Sequence, residues 1–158
     1  MQSTEIIEQI KKLESSDIYE LLNNRGIHIV HRPDLFTFTN SDARIITDIY
    51  GNTWIFLSFA DGENPVFENF VLWHELGHIE TRGRSVTSRA FDYSTHDHEE
   101  EVEANTFAFL ALISKMKKIP SCMMELAHVT GIPYIVLSEL MSRLRRDEAF
   151  MNYLMRKK

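Results

Sequence analysis

The chain has 158 residues, one cysteine and a formal net charge of −6, with 44% apolar and 25% charged residues. This is the composition of an ordinary globular protein, and it excludes a disordered chain, a low-complexity chain and a scaffold built on internal disulfides. The longest apolar run, residues 107–113, is far shorter than the roughly 20 residues that span a bilayer, and the first residues lack a signal-peptide pattern. We therefore expect one domain, residues 1–158, in the cytoplasm and without membrane contact.

The first part of the chain predicts helices followed by strands. Apolar residues at helical spacing and a closing glycine predict N-terminal helices within residues 1–26. Short β-type runs then predict a β-meander over residues 27–60, which would form a small antiparallel sheet. Its strands are expected at residues 27–30, 35–39, 43–49 and 53–60.

The rest of the chain predicts helices only. Asn64 as N-cap and Pro65 as first helical residue predict a helix over residues 64–80. A second long helix is expected over residues 98–115, and C-terminal helices over residues 121–158. Helices, then strands, then more helices indicate an α+β fold with a small sheet and a helix bundle.

The strongest chemical signal lies on the first of these long helices. Residues 74–78 read His-Glu-Leu-Gly-His. Two histidines four residues apart project from one helical face and can bind one Zn²⁺, with the intervening Glu75 as general base. The same stripe also carries apolar side chains, so we expect the histidines to be buried, where a metal would satisfy both imidazoles. Those apolar residues are Phe67, Phe70 and Val71.

A catalytic zinc site usually has three protein ligands and one open position, so a third ligand is expected downstream. The acidic and histidine residues between positions 96 and 103 supply the candidates. They are His96, Asp97, His98, Glu99, Glu100, Glu101 and Glu103. On a helix, Glu101 shares a face with small residues, which would allow a close approach to Gly77 of the first helix.

Glu101 is therefore the favoured third ligand, and Glu100 is the alternative. Glu99 and Glu103 point roughly the other way and are expected to face solvent. Asn105 follows Glu101 by one helical turn. We therefore expect it to hydrogen-bond one of the ligand histidines without binding the metal itself.

The two segments together resemble the ImmA/IrrE family of zinc metallopeptidases. Residues 101–108 read Glu-Val-Glu-Ala-Asn-Thr-Phe-Ala and align without gaps to the family's second motif, Glu-x-x-Ala-Asn-x-Phe-Ala. The resemblance implies a zincin-like core in which His74, His78 and Glu101 hold zinc and Glu75 is the catalytic base.

The resemblance also implies a substrate. Members of the family are found in phages, mobile elements and stress-response loci, and cleave a helix-turn-helix repressor encoded nearby. By resemblance, this chain would be an endopeptidase that relieves repression by cutting such a repressor. The predicted strand 53–60 would then be either an edge strand that pairs with an extended substrate or an ordinary strand of the sheet.

A second class of function stays open at the C-terminal end. Ala127 and Gly131 have the spacing of a helix-turn-helix, and Arg143, Arg145 and Arg146 follow. The chain could therefore instead bind DNA or sequester a repressor, with zinc as a structural element. The segment 134–142 carries Glu139 and no Lys or Arg, which favours a lid or a protein-docking surface over phosphate contacts. The remaining histidines, His28, His31 and His128, lack metal-like spacing and are interpreted as structural.

Overall fold

The structure is a computed structural model that describes residues 2–13, 16–36, 42–82, 88–91 and 99–157. Seven α-helices and four β-strands lie within these residues. The helices are α1 (Ser3–Leu13), α2 (Ile18–Asn24), α3 (Pro65–Arg82), α4 (Glu99–Ser114), α5 (Met123–Thr130), α6 (Tyr134–Leu144) and α7 (Glu148–Lys157). The strands are β1 (Ile27–His31), β2 (Ala43–Thr47), β3 (Thr53–Leu57) and β4 (Ser88–Phe91). None of these helices is long and apolar enough to cross a bilayer.

The α+β class is confirmed, but the prediction of an antiparallel meander is wrong. The sheet has the order β1-β3-β2-β4, and β1 runs parallel to β3 while the other two pairings are antiparallel. The tight turn between β2 and β3 fixes their hairpin locally. The chain between β1 and β2 is long enough to cross over, so the neighbour of β1 is decided by packing and not by the local pattern.

Two further expectations about the strands are also wrong. Residues 33–36 form a 3₁₀ turn (Pro33–Phe36) instead of the start of a strand over 35–39, and residues 37–39 lie outside the described part. The strand β3 is paired on both sides, with β1 and with β2, so it cannot accept a substrate as an additional strand. Within the described sheet, β1 and β4 are the edge strands.

The contact between α3 and α4 is the most extensive one between elements of the fold. Both helices are almost wholly buried, and Trp73 of α3 meets Phe107 of α4 with ring centroids 6.4 Å apart. A Cβ atom added at Gly77 would lie 3.1 Å from the Cα and the carbonyl oxygen of Ala104. The absence of a side chain at Gly77 therefore lets the two backbones meet at this point.

The C-terminal helices pack against the start of α3. Gly131 adopts φ +75° between α5 and α6, and a Cβ atom there would lie 2.4 Å from the carbonyl oxygen of Val66. The tail packs on its own chain, because Phe150 of α7 is fully buried with its ring 5.9 Å from that of Phe109. The start of α3 is thus held by the turn between α5 and α6.

Replacement of Gly131 by alanine should destabilise the protein more than the same change at Gly62. Both glycines have positive φ, +75° and +78°, but a Cβ at Gly62 meets nothing within 4 Å. Gly62→Ala should cost about 1 kcal/mol from backbone strain alone, whereas Gly131→Ala should cost about 2–4 kcal/mol because the clash with Val66 is added. Urea unfolding midpoints of the two variants measure the difference, and equal midpoints would show that the contact with α3 is not tight.

Candidate metal centre

Three buried side chains converge between α3 and α4. His74 and His78 lie one turn apart on α3, with their Nε2 atoms 3.1 Å apart. Glu101, in the first turn of α4, places Oε2 2.9 Å from His74 Nε2 and Oε1 3.2 Å from His78 Nε2. Their ligand atoms all lie within 4.8 Å of one another, which is the spacing expected around one cation.

The hydrogen bond from Asn105 fixes which histidine nitrogen faces the centre. Asn105 Oδ1 lies 2.7 Å from His74 Nδ1, and an amide oxygen only accepts, so Nδ1 carries the proton. His74 Nε2 then presents a lone pair toward Glu101 Oε2, an oxygen that has no hydrogen-bond partner within the described chain. Two acceptors at 2.9 Å repel each other unless a proton or a metal cation lies between them, so this donor set fits a metal ion.

The environment of Glu101 keeps its carboxylate ionised. Burial raises the pKa of Glu101, but the hydrogen bonds and charge interactions with His74 and His78, formed when a proton lies between the groups, lower it by more, and the net result is a pKa of about 2. An ionised carboxylate beside two imidazoles is the protonation state that a divalent cation requires of its ligands.

The acidic residues around Glu101 take different positions. Glu101 lies in the cluster with the two histidines, whereas Glu100 is half-buried and outside it, and Glu99 is exposed. The expectation that Glu103 faces solvent is wrong, because it is 8% exposed. The helix α4 is buried on nearly all sides, so the face opposite Glu101 also meets protein. The other candidates, His96, Asp97 and His98, lie outside the described residues.

Glu75 lies between the two histidines in sequence and is fully buried on α3. Its carboxylate therefore sits in a protein environment with little competing bulk water, as a general base in a hydrolytic site requires.

The structure also brings together residues that the sequence did not connect. His31 at the end of β1, Asp61 after β3 and Glu68 near the start of α3 form a second cluster of possible metal ligands. They are separated by 30 and 7 positions in the chain, so no short motif signals the cluster. Only the parallel pairing of β1 with β3 places them near one another.

The segment with helix-turn-helix spacing does form two helices, α5 and α6, joined by residues 131–133. One face of α6 is buried in the domain through Val136, Leu137 and Leu140. The exposed start of α6 presents Tyr134 and Ile135, which are apolar. This surface does not favour contacts with phosphate groups, and DNA binding stays an untested alternative.

An α+β domain with a His-Glu-x-x-His helix packed on a glutamate-bearing helix has the architecture of the zincin class of metallopeptidases. The family model Peptidase_M78, described as the IrrE N-terminal-like domain, matches residues 24–154. The chain therefore belongs to the ImmA/IrrE family of metallopeptidases. No curated protein matches the chain significantly, and no solved structure does so either.

Asn105 should be needed for tight metal binding although it does not face the metal position. Asn105→Ala removes the acceptor that orients His74 and should weaken zinc binding about 10–100-fold. Asn105→Asp keeps an acceptor at the same place and should retain most of the affinity. Competition with a chromophoric chelator measures both variants, and equal affinities for Ala and wild type would exclude the positioning role.

The third ligand can be tested by elemental analysis of purified variants. We expect about one zinc at this centre in the wild type, lost in His78→Ala and in Glu101→Ala because each removes one of three ligands. The matched control is Glu100→Ala, which removes the neighbouring carboxylate and should leave the zinc in place. Loss of zinc in Glu100→Ala but not in Glu101→Ala would exchange the two assignments.

Proposed function

We propose that this chain is a zinc-dependent endopeptidase that cleaves a helix-turn-helix transcriptional repressor and so relieves repression. The observation that carries the peptidase part is the buried cluster of His74, His78 and Glu101 with Glu75 on the same helix. The repressor as substrate is supported by the resemblance to the ImmA/IrrE family.

His74, His78 and Glu101 would hold the zinc ion. Zinc bound by three protein ligands supplies a Lewis acid that polarises a peptide carbonyl and makes water acidic enough to react near neutral pH. Asn105 keeps the proton of neutral His74 on Nδ1, so that Nε2 is the nitrogen that would bind the ion. Glu101, with its low pKa, stays ionised over the physiological range of pH.

Glu75 would move the protons of the reaction. As a carboxylate it accepts a proton from the attacking water, and it then donates this proton to the nitrogen of the leaving amine. Its full burial limits exchange of that proton with bulk water. Glu75 lies on α3 directly after His74 and one turn before His78. The base and the two histidines are therefore held by the same rigid helix.

An extended substrate would be bound at a sheet edge. Addition of a strand requires unpaired N–H and C=O groups, which β3 lacks because both of its sides are paired. Recognition through the main chain is therefore open to β1 or β4 and not to the strand that the sequence suggested.

Glu75→Gln should keep the metal and lose hydrolysis. The amide has nearly the shape of the carboxylate but cannot accept a proton, so the rate should fall at least about 10²–10⁴-fold while zinc content stays at the wild-type value. Glu63→Gln, which neutralises an exposed glutamate before α3, is the control and should leave the rate unchanged.

The substrate proposed for this comparison is a helix-turn-helix repressor of the kind that the family resemblance implies to be encoded nearby. Zinc-loaded wild type should cut it at one position, giving two fragments whose masses sum to the intact protein plus one water. Full activity of Glu75→Gln would refute the role of the base. An uncut repressor in the presence of zinc-loaded wild type would refute the substrate and leave the metal centre standing.

A further inference from the structure

A second cluster of metal-binding side chains lies at the start of α3. His31 Nε2 is 2.5 Å from Glu68 Oε1 and 3.9 Å from Asp61 Oδ1. These atoms lie within 4.8 Å of one another, as in the first centre. Glu68 precedes His74 by six residues, or roughly 9 Å along the helix axis, so the two clusters are distinct sites on one helix.

The topology of the sheet builds this cluster. Because β1 is parallel to β3, His31 pairs with Leu57, the last residue of β3. The backbone N–H of Arg32 then donates to the carbonyl oxygen of Leu57 at 2.9 Å, which holds the end of β1 against the chain leaving β3. That departing chain carries Asp61 and then enters α3, where Glu68 lies in the first turn.

Glu68 is a buried carboxylate that is held in a defined orientation. It is only 4% exposed, and the Tyr19 hydroxyl of α2 donates to its Oε2. This leaves Oε1 directed at His31. A hydrogen bond from outside to one carboxylate oxygen, with the other free to face a cation, is the usual arrangement around metal-binding carboxylates.

The cluster carries more negative than positive charge. Two carboxylates face one imidazole, so the net charge is −1 even when His31 is protonated. Within the described chain no Lys or Arg side chain forms an ion pair with Asp61 or Glu68. A divalent cation would neutralise this excess, and Asp61, whose side chain is 86% exposed, leaves a side open to solvent for entry and for water ligands.

We infer that His31, Asp61 and Glu68 form a second zinc site. One imidazole nitrogen and two carboxylate oxygens favour zinc over calcium or magnesium, which prefer oxygen-only sites. The bound ion would join β1, the segment before α3 and α3 itself, with Tyr19 extending the connection to α2. It would thus stabilise the first turns of the helix that presents His74 and His78.

Metal analysis of the zinc-loaded protein tests this inference. Wild type, dialysed against a modest excess of zinc and analysed for metal, should retain two zinc ions, and Glu101→Ala should retain one. Asp61→Asn should weaken the second site about tenfold or more, because a carboxylate ligand becomes a neutral amide. Asp61 is exposed, so this variant folds whether or not the site exists. Glu63→Gln removes a charge from the same segment outside the cluster and should keep both ions.

Thermal unfolding in the Glu101→Ala background separates the two sites. Zinc should still raise the melting temperature of this variant, because an ion that binds only the folded state stabilises it. The added Asp61→Asn change should abolish the rise, and added Glu63→Gln should not. The inference fails if Glu101→Ala retains no zinc. It also fails if the remaining ion and the rise in melting temperature survive Asp61→Asn, because that zinc would then be bound elsewhere on the surface.

Discussion

The candidate metal centre depends on the close approach of two helices. Gly77 lets α3 meet the backbone of α4 at Ala104, and the space between the two helices there is too narrow for a side chain on Gly77. Glu101 lies one turn before this point and Asn105 directly after it. A wider separation of the helices would move both side chains away from His74 together, so one backbone contact sets the third ligand and its supporting hydrogen bond at once.

The same contact explains how the fold accommodates so many buried polar groups. His74, Glu75, His78, Glu101 and Asn105 are all less than 7% exposed in a helix pair otherwise lined by apolar residues. An unpaired charge in such surroundings would cost several kcal/mol. The two imidazoles, the Glu101 carboxylate and the Asn105 amide instead face one another, and a bound cation would balance the negative charge. Metal binding at the first centre would thus be coupled to folding.

The sheet has a less obvious part in positioning α3. Its parallel pair delivers the chain from β3 into α3 beside the end of β1, where His31 and Glu68 meet. At the same end of α3, the turn between α5 and α6 packs closely against the carbonyl oxygen of Val66 through Gly131. The start of α3 is therefore held on two sides, which keeps the histidines two turns further along in a fixed orientation. A rigid helix of this kind is what preorganised hydrolytic sites require.

The sequence by itself determined what local patterns can encode. Helical spacing of His74 and His78, the N-cap at Asn64 before Pro65, and the small residues after Glu101 are short-range signals, and they indicated the α+β class, the long helices and the side chains that the structure brings together. The prediction that Glu103 faces solvent was wrong, because helical spacing carries no information that α4 is buried on nearly all sides.

Only the tertiary structure decided the relations between distant segments. The parallel pairing of β1 with β3, the interior position of β3 and the meeting of His31 with Asp61 and Glu68 all depend on a crossover whose direction is set by packing. Strand periodicity specifies which face of a strand is buried but carries no information on which strand lies beside it. For that reason the metal-binding motif was readable from the sequence, while the edge strands of the described sheet and the second cluster were not.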